Sequence, residues 1–178
     1  MKPKKLIKIA IVGPESTGKS VLSKQLAAHY NCKFVPEMAR EYIANLNRPY
    51  HLADILEISK IQLQKEMAFA DASTDLLICD TTLLVTKIWA QNAFESCPEF
   101  ISEKYMVNDY SLHLLMQIDL PWEFDAQREH PEQREFFFNW YEHELKTSNA
   151  NYRIISGSNE HRLKSAVAAI DAHLASFG

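Results

Sequence analysis

Residues 13–20 read Gly-Pro-Glu-Ser-Thr-Gly-Lys-Ser, which satisfies G-x-x-x-x-G-K-[ST] in full. A loop that wraps its backbone N–H groups around phosphate oxygens needs glycine, for unusual φ values and for close approach. A helix that starts directly after such a loop points its positive end at the same anion. Lys19 is placed to reach the outer phosphates of ATP, and Ser20 to offer a hydroxyl to Mg²⁺. The stretch Gly13, Pro14, Glu15, Ser16, Thr17, Gly18, Lys19, Ser20 and Val21 is therefore the expected nucleotide cradle. Average residue usage makes such a coincidence roughly a once-in-a-few-hundred event for a chain of this length. The chain has 4 glycines, and two of them fall in this motif.

Two acids follow apolar runs and are candidates for the same chemistry. Leu77-Ile78-Cys79 runs into Asp80, the type of residue that holds Mg²⁺ directly or through water. An Asp in that place also commonly caps a helix, a task that Thr81 or Thr82 could take instead. Val35-Pro36 leads to Glu37, with Arg40 and Glu41 close behind. A carboxylate there can take the proton of an acceptor hydroxyl or fix its orientation, or it can cap a helix beginning near Met38. Glu37 is the first candidate for the proton-accepting role and Asp80 the second. Asp80 is also the expected metal ligand beside Ser20.

A charged, proline-bearing segment at about 121–135 carries Trp122, Asp125, Arg128, His130 and Arg134. Its pattern suits a mobile lid whose arginines neutralise charge on a transferring phosphoryl group. An exposed helix start with surface ion pairs would look the same. Trp89 and Trp122 each lie within about ten residues of a strand end, in reach of a flat heterocycle. Ser156-Gly157-Ser158-Asn159 is a turn and helix cap, placed where the base of a nucleotide would lie. The run Phe136-Phe137-Phe138-Asn139-Trp140-Tyr141 reads as core packing at helical spacing. His29, His143 and His173 read as helix-surface residues, and the 7 histidines show no metal-ligand spacing.

Short apolar runs alternate with longer amphipathic ones, and these elements must position the candidates. Strands are expected at Leu6–Val12, Lys33–Val35, Leu76–Cys79, Leu112–Ile118 and Tyr152–Ile155. All but the second are near-continuous apolar runs, as in strands buried on both faces. Helices are expected at Lys19–Tyr30, His51–Ala70, Thr82–Phe94, Pro131–Lys146 and Asn159–Ala175. In the second helix Leu52, Leu56, Leu63 and Met67 form the apolar stripe, with Glu57, Lys60 and Gln64 away from it. This alternation predicts a three-layer α/β/α P-loop NTPase fold: a mostly parallel five-stranded sheet and a lid after strand four. Ligands in such folds sit at the carboxyl ends of the strands, where the loop, Glu37 and Asp80 all fall.

Length and charge exclude several classes. The 178 residues and 20.5 kDa fit one domain spanning 1–178. The formal net charge of −4 and pI near 6.0 argue against a nucleic-acid partner. The 3 cysteines, Cys32, Cys79 and Cys97, contain no C-x-x-C pair, which speaks against a disulfide frame or a zinc site and for a reducing cytoplasm. Met1–Lys5 is basic, but Lys8 breaks the following apolar run and Gly13-Pro14 ends it, unlike an export signal. No apolar window is long enough for a membrane span. N-K-x-D and D-x-x-G are absent, which excludes a regulatory GTPase. Motor ATPases are usually longer, and no sensor-arginine pattern is evident. A small chain with a lid after strand four matches the nucleoside and nucleotide kinase plan.

The chain also resembles the ribosylnicotinamide kinase domain of NadR-type proteins. The phosphate loop carries part of the resemblance. More particular are Val35-Pro36-Glu37 with Ala39-Arg40-Glu41-Tyr42, and Asp80-Thr81-Thr82 with Thr86. Asp119-Leu120-Pro121-Trp122 with Asp125 and Arg128, and Ile155-Ser156-Gly157 with Glu160 and Arg162, complete it. The resemblance covers nearly the whole chain. It implies ATP-dependent phosphorylation of the 5′-hydroxyl of nicotinamide riboside, with Lys19 and Ser20 on ATP and Mg²⁺ and Arg128 in the lid. Ser158 and Arg162 are then expected near the nucleotide. Glu37, Arg40, Asp80, Trp89, Trp122 and Arg134 are expected near a small-molecule acceptor. Longer family members carry a nucleotidyltransferase domain, some also a helix-turn-helix. This chain lacks H-x-G-H and its first strand begins almost at once, so adenylyl transfer and operator binding are expected to be absent. The family often has an acid two residues after the strand-end Asp, where this chain has Thr82, which keeps another nucleoside or a vitamin alcohol open as acceptor. Two further readings stand: a nucleoside monophosphate kinase using arginines near Arg40 and Arg48, and a non-catalytic nucleotide-binding regulator.

Overall fold

A computed structural model describes residues 6–73 and 75–176. The basic stretch Met1–Lys5 lies outside the described residues. Strands β1 (Ile7–Val12), β2 (Lys33–Val35), β3 (Leu76–Asp80), β4 (Leu112–Met116) and β5 (Tyr152–Ile155) form one parallel sheet in the order β2-β3-β1-β4-β5. The crossovers are α1 (Lys19–His29), α2 (Ala39–Ala44) with α3 (Leu52–Asp71), α4 (Leu83–Phe94) with α5 (Glu99–Lys104), and α6 (Arg134–Thr147); α7 (Asn159–Ala175) closes the chain.

The period of two along each central strand builds the two cores. Ile9 and Ile11 face one side, with Ile78, Leu112 and Leu114, and pack on Leu22 and Leu26 of α1 and Ala166 and Ile170 of α7. Ala10 and Val12 face the other side, with Leu77, Cys79 and Leu115, under Leu84 and Ile88 of α4 and Phe137, Phe138 and Leu145 of α6. Strands β3 and β4 are buried along their whole length. This is the three-layer α/β/α arrangement, and it brings the carboxyl ends of β1, β2 and β3 side by side.

Four local expectations are corrected. β5 is an edge strand rather than one buried on both faces, with Arg153 and Ile154 exposed. β4 stops at Met116, two residues short of Ile118. Phe136 is 55% exposed, whereas Phe137, Phe138 and Tyr141 are buried. The stripe assigned to α3 is rotated. It buries Ile55 and Ile58 together with Asp54, Ser59, Gln62 and Glu66, and leaves Met67 60% exposed.

The rotation of α3 has a physical reason. Each polar residue it buries has a hydrogen-bond partner: Ser59 bonds the Ile55 carbonyl one turn back, and the others reach outside the helix. Asp54 accepts from Arg48, Tyr42 and the His51 backbone. Glu66 accepts from Lys8 at 2.9 Å and from the Tyr110 hydroxyl at 2.7 Å. Gln62 reaches the loop after β2. Such satisfied groups tolerate burial that lone ones would not. The short α2 and α5 were also missed, since six-residue helices leave too little periodicity to read.

The aromatic run provides a direct check. Phe138→Ala is expected to cost about 3–5 kcal/mol in urea unfolding. Phe136→Ala should cost less than about 1 kcal/mol. Equal losses would show that the helix face is wrongly assigned.

Candidate active site

The turn from β1 into α1 requires its glycines. Gly13 has φ +140, and a Cβ there would meet Cβ, N and O of Met116 at 3.2 Å. Gly18 caps α1 in the left-handed region at φ 77. Thr17 Oγ1 donates to the Pro14 carbonyl at 2.8 Å and closes the loop on itself. Lys19 curls back over the loop, its Nζ donating to the carbonyls of Gly13 (2.9 Å) and Pro14 (2.7 Å). Desolvation holds the Lys19 pKa below the ordinary lysine range, opposed by the charges of Glu37, Asp80 and Glu15.

Asp80 ends β3 against β1 and is 1% exposed. Its Oδ1 is buried without a hydrogen-bond partner. Burial raises its pKa to about 6; the Ser20 hydroxyl opposes the rise, Glu37 adds to it, and Lys19 and Lys24 oppose it. Asp80 is not a helix cap, because Thr82 performs that task by accepting from Leu84 N at 3.2 Å. Glu37 follows β2 and lines the cleft above the loop. It does not cap α2 either: the N-cap is Met38, with no side-chain cap bond.

The segment after β4 folds across the loop. Glu15 accepts from the backbone N–H groups of Glu129 (3.1 Å) and His130 (3.2 Å). Ser16 Oγ accepts from Glu123 N at 2.9 Å and from Arg128 at 3.3 Å. On the far side Arg40 pairs with Asp125 at 2.6 Å, and the Tyr50 hydroxyl donates to Glu129 at 2.8 Å. The enclosed cleft has a volume of about 840 Å³.

The family model of AAA_28, an AAA domain, matches residues 8–162. The chain belongs to the AAA_28 family. No curated protein matches its sequence. Among solved structures, NadR protein in complex with NAD and AMP-PNP superposes with TM-score 0.78 at 20% identity, covering 94% of this chain and 49% of that one. NadR in complex with NR gives TM-score 0.74 at 20% identity and the same coverage, so this chain spans about half the length of the NadR chains. Deoxyadenosine kinase from M. mycoides gives 0.67 at 14% identity over 93% of this chain and 100% of that one. Thymidylate kinase from Ehrlichia chaffeensis gives 0.66 at 12% identity over 93% and 97%. The fold is that of the NadR-type P-loop kinase domain.

Within this AAA_28 domain the residues singled out from sequence separate into groups. Gly13 through Val21, Glu37, Arg40, Trp89, Arg128, Arg134, Ser158 and Arg162 all line the cleft. Asp80 sits behind it, with Thr81 presented to the cleft instead. Trp122 is not part of the lining; its ring lies 5.8 Å from the Arg134 guanidinium. Arg134 and Arg162 are engaged by protein. Arg134 donates to the carbonyls of Leu120 and Ser16. Arg162 donates to Gly157, Thr17 and Gln117 carbonyls and pairs with Asp119. Tyr50, Gln62 and Asn92 also line the cleft and carried no sequence signal.

The residues present suit Mg²⁺ of the kind bound through phosphates. Among the described residues no group of three His, Cys, Asp or Glu side chains could hold a metal. Mg²⁺ typically takes one or two carboxylates plus water and phosphate oxygens. Asp80, with its orphaned Oδ1, and the Ser20 hydroxyl supply such a partial set.

Burial of Asp80 sets an expected pH dependence. The folded state holds this proton more tightly than the unfolded chain, so stability falls as pH rises from about 4 to about 6. Asp80→Asn should therefore stabilise the ligand-free protein by about 2–3 kcal/mol at pH 7.5, with most of the gain gone by pH 4. Urea titrations at both pH values check this; a gain independent of pH would contradict it.

Proposed function

We propose that this chain transfers the γ-phosphoryl group of ATP to the 5′-hydroxyl of nicotinamide riboside, giving nicotinamide mononucleotide. The observation that carries the reading is a single cleft shared by the phosphate loop, the lid arginine Arg128 and the carboxylate of Glu37. Phosphate binding on one side and a proton acceptor on the other is what transfer to a hydroxyl requires.

The residues divide the work as follows. Backbone N–H groups of the loop and the start of α1 hold the ATP phosphates. Lys19, now on the Gly13 and Pro14 carbonyls, exchanges them for phosphate oxygens. Asp80 and Ser20 would hold Mg²⁺, which would neutralise charge on the phosphates. Arg128 projects from the lid and stabilises the charge that spreads over the transferring group. Glu37 orients the acceptor hydroxyl and takes its proton. Trp89, in edge contact with Tyr50 at 4.9 Å, offers an aromatic wall for the nicotinamide ring. Lid closure excludes water from the reacting oxygens.

A monophosphate acceptor is disfavoured by the arginines it would need. Arg40 is paired with Asp125, and Arg48 is spent on Asp54 at 2.7 Å and does not line the cleft. The fold likeness to NadR, reported in complex with NR, supports the riboside.

Coupled ADP release with ATP and Mg²⁺ tests the reading. The panel is nicotinamide riboside, nicotinic acid riboside, the common nucleosides, their monophosphates and thiamine. Turnover is expected on nicotinamide riboside, lost in Lys19→Ala and reduced by about 10³-fold or more in Arg128→Ala. Turnover on another panel member would overturn the acceptor. ATP binding without turnover on any would overturn the kinase.

A further inference from the structure

The loop after β2 is pinned from α3. Gln62 is 3% exposed and sends its carboxamide to both sides of Glu37. Its Oε1 accepts from Met38 N at 2.9 Å, and its Nε2 donates to the Pro36 carbonyl at 3.3 Å. Both ends of the amide are thus used on backbone, one residue before and one residue after the acid. Pro36 fixes its own φ, so the bracket restrains the short arc that carries Glu37 between β2 and α2. Without it, the Met38 N–H and the Pro36 carbonyl would lose their protein partner, and α2 has no side-chain cap to replace it. The arc would then sample other arrangements, and Glu37 would leave its place above the phosphate loop.

We propose that Gln62 is a positioning residue for Glu37: it bonds the two backbone groups flanking that acid and holds the carboxylate at the acceptor hydroxyl. The proposal rests on the reading of Glu37 as the group that meets the hydroxyl. It explains why α3 turns a glutamine inward beside Ile55 and Ile58, on a face rotated from the stripe of Leu52, Leu56, Leu63 and Met67 that sequence periodicity indicated. The carboxamide acts by geometry alone and carries no charge into the cleft. A misplacement of about 1 Å in a reacting group can cost about 10²-fold in rate, which sets the scale of the expected effect.

The test is a double-mutant cycle with nicotinamide riboside and ATP on the full chain. Gln62→Leu, close in size but without hydrogen bonds, should lower kcat by about 10- to 100-fold and leave KM for ATP within about two-fold. Gln62→Glu can still accept from Met38 N, so it should recover part of the loss. In a Glu37→Gln background, Gln62→Leu should cost less than about two-fold more, because the group it positions is already disabled. Equal losses in both backgrounds overturn the proposal, as does a raised riboside KM with kcat intact, which would mean direct contact with the acceptor. If Glu37→Gln loses activity and Gln62→Leu does not, only the proposal falls. If Glu37→Gln keeps full activity, the reading of Glu37 falls and takes the proposal with it. Amide hydrogen exchange gives a readout that needs no turnover. The Met38 amide should be protected in the unmodified chain and exchange at least about tenfold faster in Gln62→Leu. An unprotected Met38 amide in the unmodified chain overturns the proposal, and so does protection that survives Gln62→Leu.

Discussion

At the carboxyl end of the sheet Asp80 is buried and Lys19 partly buried, and the rest of the site follows from keeping them there. Neither has a full complement of partners. Lys19 leans on two carbonyls of its own loop, and one Asp80 oxygen has no partner at all. Desolvation works against the charge on each, lowering the pKa of the lysine and raising that of the acid. Such an arrangement costs stability in the ligand-free chain. It persists because the surrounding structure dictates it. β1 and β3 are adjacent and parallel, with Ile11 in register with Asp80. The Thr81 N–H donates to the Ile11 carbonyl at 3.0 Å and carries the pairing past the end of β3. On the proposed reading, a polyanion and its cation would complete the missing contacts, so the same desolvation that weakens the empty fold would favour nucleotide binding.

The lid solves a related charge problem. Glu15 places a carboxylate in a loop suited to phosphate, where an unpaired acid would repel the ligand. Two lid amides, those of Glu129 and His130, engage it. The acid is therefore turned toward the lid, and Arg128, one residue before Glu129, is carried to the loop with it. Ser16 reinforces the same seam through Glu123 N. On the other wall Arg40–Asp125 and Tyr50–Glu129 join the lid to the elements after β2. The exposed ion pair among these contributes little stability by itself. Its consequence is geometric, since a lid anchored on both walls covers the cleft between them.

What could be read from sequence follows the range of the interactions involved. The β1–loop–α1 unit was legible because motif, strand and helix are contiguous, and each local preference agrees with the fold. The three-layer architecture was legible from the alternation of short and amphipathic runs, and four of the five strands from near-continuous apolar runs. The polar face of α3 was not, because Asp54, Gln62 and Glu66 bury themselves against groups that periodicity cannot see. Glu66 finds its lysine 58 residues away. The lid was legible as a charged segment, but not its seams, which join residues 79 to 115 positions apart. Arg162 and Trp122 show the same limit from the other side. A residue type suited to ligands was visible, but Arg162 turns its guanidinium to Thr17, Gln117, Gly157 and Asp119, and Trp122 turns its ring to Arg134.

Thr82 shows how such a departure can be confined. An acid two residues after Asp80 is common in the family the chain resembles, and its absence kept another acceptor open. The Thr82 side chain is 1% exposed and accepts from the Leu84 amide at the start of α4. Asp and Thr are both good N-cap residues, so the exchange preserves the cap. Thr81, held at φ 68, is the residue that turns toward the cleft. A non-glycine residue in the left-handed region costs about 1–3 kcal/mol and is kept only where its surroundings over-determine it. Here the Ile11 carbonyl on one side and the Thr82 cap on the other do so. Position 82 therefore shapes the cleft through the backbone turn it anchors, and a threonine anchors that turn as an acid would.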